Sequence, residues 1–471
     1  MPWTDALTPV RMTRVAVVAP WDALRRTLVA VADTGSVELD GVAEARTGPA
    51  ALRLQRLDGA SAAPVLTVTP VDLDAIERAR RTDLLAGEAQ LEERLHGAVR
   101  RGRVAALAGW CPSADVPAVE QHLVGTGGTI VPLPAPRGID PPTLLSTRGD
   151  QSGTFTPLVT TFGTVPYADF DPSWPAGIAY VTMFGLMFGD VGHGLLLLVA
   201  AVLLRCGFPR RLGRWRRLWP FFAGAGTVGV LAGFAYGEFF GPTGVLPVLW
   251  LDPLERPVPL IAAALGFGAV MLALAYLAGT VNRLREGGFG RALYAAAGCA
   301  GFALYLGLAT TGAALYLHRP WLVAAGAVLA VAGVVLVCTG LFALTAGGLG
   351  GVAETGVRLF DVVVRIGTNT VSFARLAAFG LTHAALAEVV WRGTTNLAHH
   401  GFAPLVLAML LFAVGTVVTF ALEALVAGVQ ALRLEFYELF SRLFDSQGRP
   451  FCPWHVPTTG ITAPADMEVA P

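Results

Sequence analysis

The sequence predicts a mainly α-helical, polytopic membrane protein. We expect a bundle of about eight crossings, the last two long and tilted, after a small N-terminal α+β lobe with a short helical or coiled-coil arm. Of the 471 residues, 54% are hydrophobic and only 14% are charged, whereas soluble domains carry about 25% charged residues. Beyond Trp174, most of the apolar runs exceed the ~20 residues that a helix needs to cross a bilayer.

Residues 1–170 have the composition of a soluble domain. The stretch RVAVVAPWDALRRTLVAVADTGSVEL (14–39) predicts a strand, a helix and a strand. The charged segment from Asp72 to about Leu107 has helical spacing and predicts an exposed helix or coiled-coil arm. Residues 117–133 predict one more helix and strand. Because the N-terminus lacks the apolar core of a signal peptide, we expect this lobe to be cytosolic.

The remaining chain divides into a transmembrane region (171–445) and a cytosolic C-terminal tail (446–471). The predicted spans are residues 176–204, 218–240, 259–281, 292–317, 321–345, 366–392 and 403–440. The last span is much longer than a bilayer requires, so we expect it to tilt or to project into the cytosol.

The first span is predicted to be a hairpin. The next loop, RCGFPRRLGRWRR (205–217), carries six arginines and should be cytosolic by the positive-inside rule. The lobe and this loop can share one side only if residues 176–204 cross twice. The glycine-rich FGLMFGDVGHG around Asp190 is the predicted turn, either as a polar site or simply as a capped turn.

Several ionisable residues fall inside these apolar runs. An arginine at the bilayer centre, such as Arg375, costs at least ~2.5–3.5 kcal/mol. On a continuous helix Asp361 would share its face, since 14 residues bring the two within about 40°. On the last helix, Glu423, Gln430 and Arg433 form one stripe. A structural salt bridge is the alternative explanation for such groups, and a lone histidine such as His193 is typical of an interface residue whose hydrogen bonds are satisfied.

Other functions lack support in the sequence. The 34 basic and 34 acidic residues balance, so nucleic-acid binding is not expected. The five cysteines show no metal-binding spacing, and we predict no metal and no cofactor. No G-x-x-x-x-G-K-[ST] loop occurs, so we predict no catalytic ATP site on this chain.

Four membrane motifs carry a family resemblance. They are MFGLMFGDVGHG (183–194), YGEFFG (236–241), NTVSFARLAAFGLTHAALAEV (369–389) and LEALVAGVQALRLEFYELFSRLFDSQGRPFCPW (422–454). These segments resemble the large membrane stator subunit of V/A-type rotary ATPases, called subunit a in eukaryotic enzymes and subunit I in archaeal and bacterial ones. The resemblance covers nearly the whole chain, although the soluble region is shorter than is usual in the family.

The resemblance implies a function. The chain would form two proton half-channels against a rotor ring and would couple ion translocation to rotation. It implies that Arg375 and Arg433 face the rotor carboxylates. It further implies a proton path through Asp190, Glu238, His383, Glu423, Gln430 and Asp361.

The implied partners are the rotor ring subunits, each with an essential carboxylate, the peripheral stalk subunits, the catalytic V1/A1 sector and the lipid membrane. The implied location is the cell membrane, as a multi-pass protein of a prokaryote, with both termini cytosolic.

A stand-alone proton-coupled secondary transporter is the alternative. It would use Glu423, His383 and Asp190 as a proton relay. Such transporters usually contain inverted repeats, and none is apparent between the halves of this sequence.

Overall fold

The computed structural model describes residues 8–41, 47–57, 62–136, 138–145, 152–208, 210–295, 298–398, 402–443 and 448–459. The chain forms two compact units. We call them the lobe, which combines Pro9–Leu144 with the tail that starts at Arg449, and the bundle, Leu145–Gly448.

The lobe is an α+β unit. Its strands are β1 (Met12–Pro20), β2 (Glu38–Leu39), β3 (Leu66–Thr67), β4 (Val99–Arg101), β5 (Val104–Pro112), β6 (Thr129–Pro132) and β7 (Thr458–Thr459). Its helices are α1 (Trp21–Thr34), α2 (Pro49–Arg56), α3 (Leu73–Arg78), α4 (Thr82–His96) and α5 (Val116–Leu123).

A sheet in the order β2-β5-β1-β6, with β4 beside β5, forms the frame of the lobe. Strand β1 pairs antiparallel with β5, from Met12 opposite Pro112 to Pro20 opposite Val104. The apolar residues of β1 and of α1 meet in the core, where Val15, Leu24 and Leu28 are fully buried. The predicted strand, helix and strand over 14–39 and the helix and strand over 117–133 are confirmed.

The prediction of helix through about Leu107 is wrong. Helix α4 ends at His96, and residues 99–112 form the β4–β5 hairpin. The helix is also not a free arm, because Leu85 and Leu91 on its inner face are fully buried. The stretch VAALAGWCP is a short apolar run of strand length, and its burial alternates over the first five residues. This run outweighs the preceding helical spacing.

The described part of the tail (449–459) completes the lobe. Strand β7 pairs in parallel with β3. The backbone N–H of Trp454 donates to the carbonyl of Val37 over 2.9 Å, and its indole Nε1 donates to Gln90 over 3.1 Å. Val456 is fully buried in the lobe core. The tail is thus an integral part of a folded unit.

The bundle consists of the helices that follow residue 145. They are α6 (Ser152–Phe162), α7 (Ser173–Phe188), α8 (Val191–Cys206), α9 (Trp219–Tyr236), α10 (Pro257–Tyr294), α11 (Cys299–Tyr316), α12 (Pro320–Phe342), α13 (Gly348–Ser372), α14 (Ala374–Ala398), α15 (Phe402–Leu434) and α16 (Ser441–Leu443). A 3₁₀ segment (Arg210–Leu218) precedes α9, and a π-helical segment (Glu435–Phe440) follows α15. Within the described residues, six helical segments are long and apolar enough to cross a membrane, and α7 and α8 are two shorter apolar helices.

The predicted hairpin is confirmed. Helix α7 ends at Gly189, whose φ of 30° lies in the left-handed region that favours glycine. Asp190 then caps α8, and its Oδ1 accepts the backbone N–H of His193 over 2.9 Å. Helix α9 packs closely on this turn, because a Cβ on Gly233 would lie 2.3 Å from the backbone nitrogen of Val191.

Two segments that separate the predicted spans are helical in the structure. Residues 282–291 extend α10, and residues 354–365 belong to α13. Between α13 and α14 the helix is interrupted at the fully buried Phe373, whose N–H donates to the carbonyl of Thr370 in a tighter turn. Helix α14 therefore begins just before Arg375.

Candidate functional site

Five ionisable side chains from four segments meet inside the bundle. We call Asp190, His193, Glu238, His383 and Glu423 the acid–histidine cluster. Asp190 and His193 lie at the α7–α8 turn, and Glu238 follows the glycine that ends α9. His383 lies on α14 and Glu423 on α15. Asp190, His193, Glu238 and His383 are at most 5% exposed.

Two glycine turns hold the acids of this cluster in place. Gly237 (φ 75°) ends α9 and directs Glu238 inward. The N–H of Gly241 donates to Oδ2 of Asp190 over 2.8 Å, while the carbonyl of Glu238 accepts the N–H of Val191. The carboxylate of Asp190 therefore caps its turn, as the simpler interpretation expects, and also lies within the cluster.

His383 is the centre of the cluster. Its Nδ1 lies 2.5 Å from Oε2 of Glu423, and its Nε2 lies 3.6 Å from Oε2 of Glu238 and 3.9 Å from Oδ2 of Asp190. The imidazole of His383 therefore has carboxylates near both ring nitrogens. It is hydrogen-bonded to Glu423 and lies close to Glu238 and Asp190 without a hydrogen bond.

His193 is the cluster member whose role the sequence did not indicate. It is 2% exposed, and neither ring nitrogen has a hydrogen-bond partner among the described residues. Its Nδ1 lies 3.3 Å from Oδ1 of Asp190, in a geometry too poor for a hydrogen bond. The expectation of a satisfied interface histidine is therefore wrong. The available signal was its position three residues after a helix-capping aspartate.

Aromatic rings surround the two histidines. The ring of His193 lies between those of Phe240 and Phe420, with centroids 5.2 Å from each. The ring of Phe188 lies against both His193 and His383. These rings keep the polar atoms in a low-dielectric setting, where electrostatic interactions are strong.

Helices α14 and α15 run antiparallel, and their contacts fix the level of the arginines. His383 lies opposite Glu423, and Val390 contacts Gly415. The same register brings Arg375 level with Gln430 and close to the level of Arg433. Arg375 precedes His383 by eight residues, which is about 12 Å along a helix.

Arg375 has no salt bridge among the described residues, and its buried Nη1 has no hydrogen-bond partner there. The side chain lines an open surface groove of about 610 Å³ with Val364, Gly367, Thr368, Val371 and Ser372. A buried cationic donor without a partner is costly. This arrangement therefore leaves a donor available for an anionic group from outside the chain.

The residues near Arg375 are also polar. Oε1 of Gln430 is buried without a partner among the described residues, and Arg433 is exposed on the bundle surface. The π-helical segment adds the buried Glu435 and Glu438, and Glu438 interacts electrostatically with both arginines. Short π segments occur frequently at functional sites.

Asp361 is not part of either group. Its side chain is exposed and pairs with Arg365, one turn away, at 2.8 Å. Asp361 precedes Arg375 by 14 residues, which is about 21 Å along a helix, so it lies far from the level of the arginine.

The fold and site define a polytopic helical membrane protein with ionisable side chains inside its bundle. The model of the V-type ATPase 116 kDa subunit family matches residues 97–210 and 362–456. These ranges include the α7–α8 turn and all of α14 and α15.

Named proteins that are similar in sequence to this chain agree with the family match. The A-type ATP synthase subunit I of Aeropyrum pernix is 28% identical over 364 residues, which cover 68% of this chain and 51% of the relative. The V-type ATP synthase subunit I 2 of Treponema pallidum is 34% identical over 32% of this chain and 34% of its own. The human V-type proton ATPase 116 kDa subunit a 3 is 31% identical over 30% of this chain and 19% of its own.

The family model and these relatives support membership of the V/A-type ATPase subunit a/I family. It spans about half the length of the A-type relatives that it matches over most of its sequence.

Proposed function

We propose that this chain is the stator subunit that forms the ion path of a V/A-type rotary ATPase, with Arg375 at its centre. The observation that carries the proposal is the buried Nη1 of Arg375, which lacks a partner among the described residues, while its side chain lines an open surface groove. Its partner would be the essential carboxylate of a rotor ring subunit. The peripheral stalk subunits and the catalytic V1/A1 sector would complete the assembly.

The chemistry follows from the cost of a charge in lipid. A rotor carboxylate that faces hydrocarbon must be neutral, because an isolated charge there is prohibitive. Beside Arg375 the ionised form is favoured, so the carboxylate releases its proton. Arginine suits this role because it does not deprotonate in proteins, whereas a buried lysine readily becomes neutral.

The acid–histidine cluster would be the half-path on the outer side of the membrane, with Asp190, Glu238, His383 and Glu423 as proton carriers. An imidazole can accept a proton at one nitrogen and release the other proton from the opposite nitrogen. Nδ1 of His383 contacts Glu423, and its Nε2 faces Glu238. This geometry supports a relay through His383 that ends about two helical turns from Arg375.

Glu435 and Glu438 would begin the half-path on the inner side. Arg375 and Arg433 lie between these acids and the acid–histidine cluster along the helices. A fixed positive charge between two proton-conducting segments would prevent a direct leak. In this arrangement the bundle is the ion-conducting domain, and both termini are cytosolic.

The test is Arg375→Lys in the assembled complex, with Arg365→Lys as the matched control. Arg365 is exposed and forms a salt bridge with Asp361. We expect Arg375→Lys to abolish ATP-driven proton pumping in vesicles while the rotor ring still co-purifies, and Arg365→Lys to pump normally. Near-normal pumping by Arg375→Lys in an intact complex would disprove the role.

A further inference from the structure

The acid–histidine cluster has the geometry of a metal site. One ligand atom each from Asp190, His193 and His383 can be chosen so that all lie within 4.8 Å of one another. The separation is 3.3 Å between Asp190 Oδ1 and His193 Nδ1, and 3.6 Å between His383 Nε2 and Glu238 Oε2. Donors around a tetrahedral zinc ion at 2.0–2.1 Å are ~3.3 Å apart, so small shifts would place the donors of Asp190, His193 and His383 around one ion, with Glu238 beside them.

The unpartnered nitrogens of His193 are an independent observation. They are buried and have no hydrogen-bond partner among the described residues, and Nε2 of His383 also lacks one. Buried polar groups are normally satisfied by protein, water or an ion. Neutral imidazole nitrogens that face carboxylates are typical zinc ligands.

The charge and the donor types select the ion. Asp190, Glu238 and Glu423 bring three carboxylates into a space lined by aromatic rings. A divalent cation would offset much of this negative charge. Imidazole together with carboxylate suits zinc-like transition metals, whereas magnesium and calcium prefer all-oxygen sites.

We propose that Asp190, His193 and His383, with the carboxylate of Glu238 as a neighbour, form a binding site for a zinc-like divalent ion that joins the α7–α8 turn to α14. Binding itself does not depend on the proposed function. One consequence rests on that function: an ion on His383 would occupy the nitrogen that the relay needs, and zinc would therefore inhibit proton transport.

The binding test uses the full chain in detergent and zinc chloride as the only ligand. Zinc affinity is measured by competition with a chromogenic chelator, and X-ray absorption at the zinc edge reports the ligands. The variants are His193→Phe, which preserves the aromatic packing, and His193→Asn. The matched control is His318→Asn, at an exposed histidine outside the cluster.

We expect one tightly bound zinc ion per wild-type chain, with imidazole ligands in the absorption spectrum. Loss of a second-shell partner already weakens metal binding about 10–100-fold, so both His193 variants should bind at least ~100-fold more weakly. His318→Asn should bind like the wild type. Equal affinity of the wild type and both His193 variants, or a spectrum without imidazole ligands, would overturn the proposal.

The transport consequence is measured separately in vesicles that contain the assembled complex. Each proton-pumping rate is expressed relative to the same protein without zinc. Zinc should inhibit the wild type at concentrations that leave His193→Phe unaffected. If Arg375→Lys pumps normally while wild-type zinc binding persists, the proposed function fails and the metal site stands.

Discussion

Substitution of Gly233 by alanine should disturb the acid–histidine cluster without touching any of its side chains. A Cβ at this position would lie 2.3 Å from the backbone nitrogen of Val191 and 2.8 Å from the Cα of Asp190. Because these are backbone atoms of a turn, no side-chain rotation can relieve the contact. The α7–α8 turn would have to move by at least ~0.7 Å to reach a tolerated separation, and overpacking of this kind costs about 1–3 kcal/mol.

The matched control is Gly266→Ala on α10, where a Cβ would meet nothing within 4 Å. Alanine in an open helical position should be neutral or should stabilise the chain by up to about 1 kcal/mol. The assay is thermal unfolding of the detergent-solubilised chain, followed by proton pumping in the assembled complex. We expect Gly233→Ala to lower the apparent melting temperature and the pumping rate, and Gly266→Ala to lower neither. Equal behaviour of the two variants would refute the reasoning.

Three further predictions concern other parts of the chain. Asp361→Asn should leave proton pumping in vesicles near the wild-type rate, because the side chain of Asp361 is exposed and pairs with the exposed Arg365. Loss of pumping would place Asp361 on the ion path. Glu88→Gln should destabilise the lobe by about 1.5–3 kcal/mol, because it weakens the charged hydrogen bonds between Arg25 of α1 and Glu88, whose side chain is 7% exposed. Unchanged resistance to proteolysis in urea would contradict this prediction. Burial raises the pKa of the Cys111 thiol to about 12. Iodoacetamide at pH 8 should therefore modify the exposed Cys206, and should modify Cys111 only after the lobe unfolds. Rapid labelling of both cysteines in the native chain would be inconsistent with the burial of Cys111.

The bundle contains two polar regions. One is the acid–histidine cluster, and the other is the group of polar residues level with Arg375 and Arg433. His383 and Arg375 lie on one helix, about two turns apart, so α14 carries one residue of each region. The antiparallel register with α15 then places Glu423 beside the first and Gln430 beside the second. Two facing helices therefore determine the spacing between an acid–histidine relay and a fixed positive charge.

The sequence alone determined features that depend on local order. Apolar run length predicts which segments cross a membrane, and glycine beside aspartate predicts the turn at Asp190. The period of a continuous helix places Glu423, Gln430 and Arg433 on one stripe, and α15 is continuous through them. The motifs around these residues also carried the family resemblance.

Tertiary structure alone decided which of these residues meet. The four segments of the acid–histidine cluster are far apart in sequence, and their contacts depend on helix register and on glycine-mediated packing that no local period encodes. Asp361 is exposed and pairs with Arg365, and His193 joins the cluster because the turn of Asp190 directs it inward. The tail becomes part of the lobe because its Trp454 and Val456 fill a core that is formed by residues more than three hundred positions earlier.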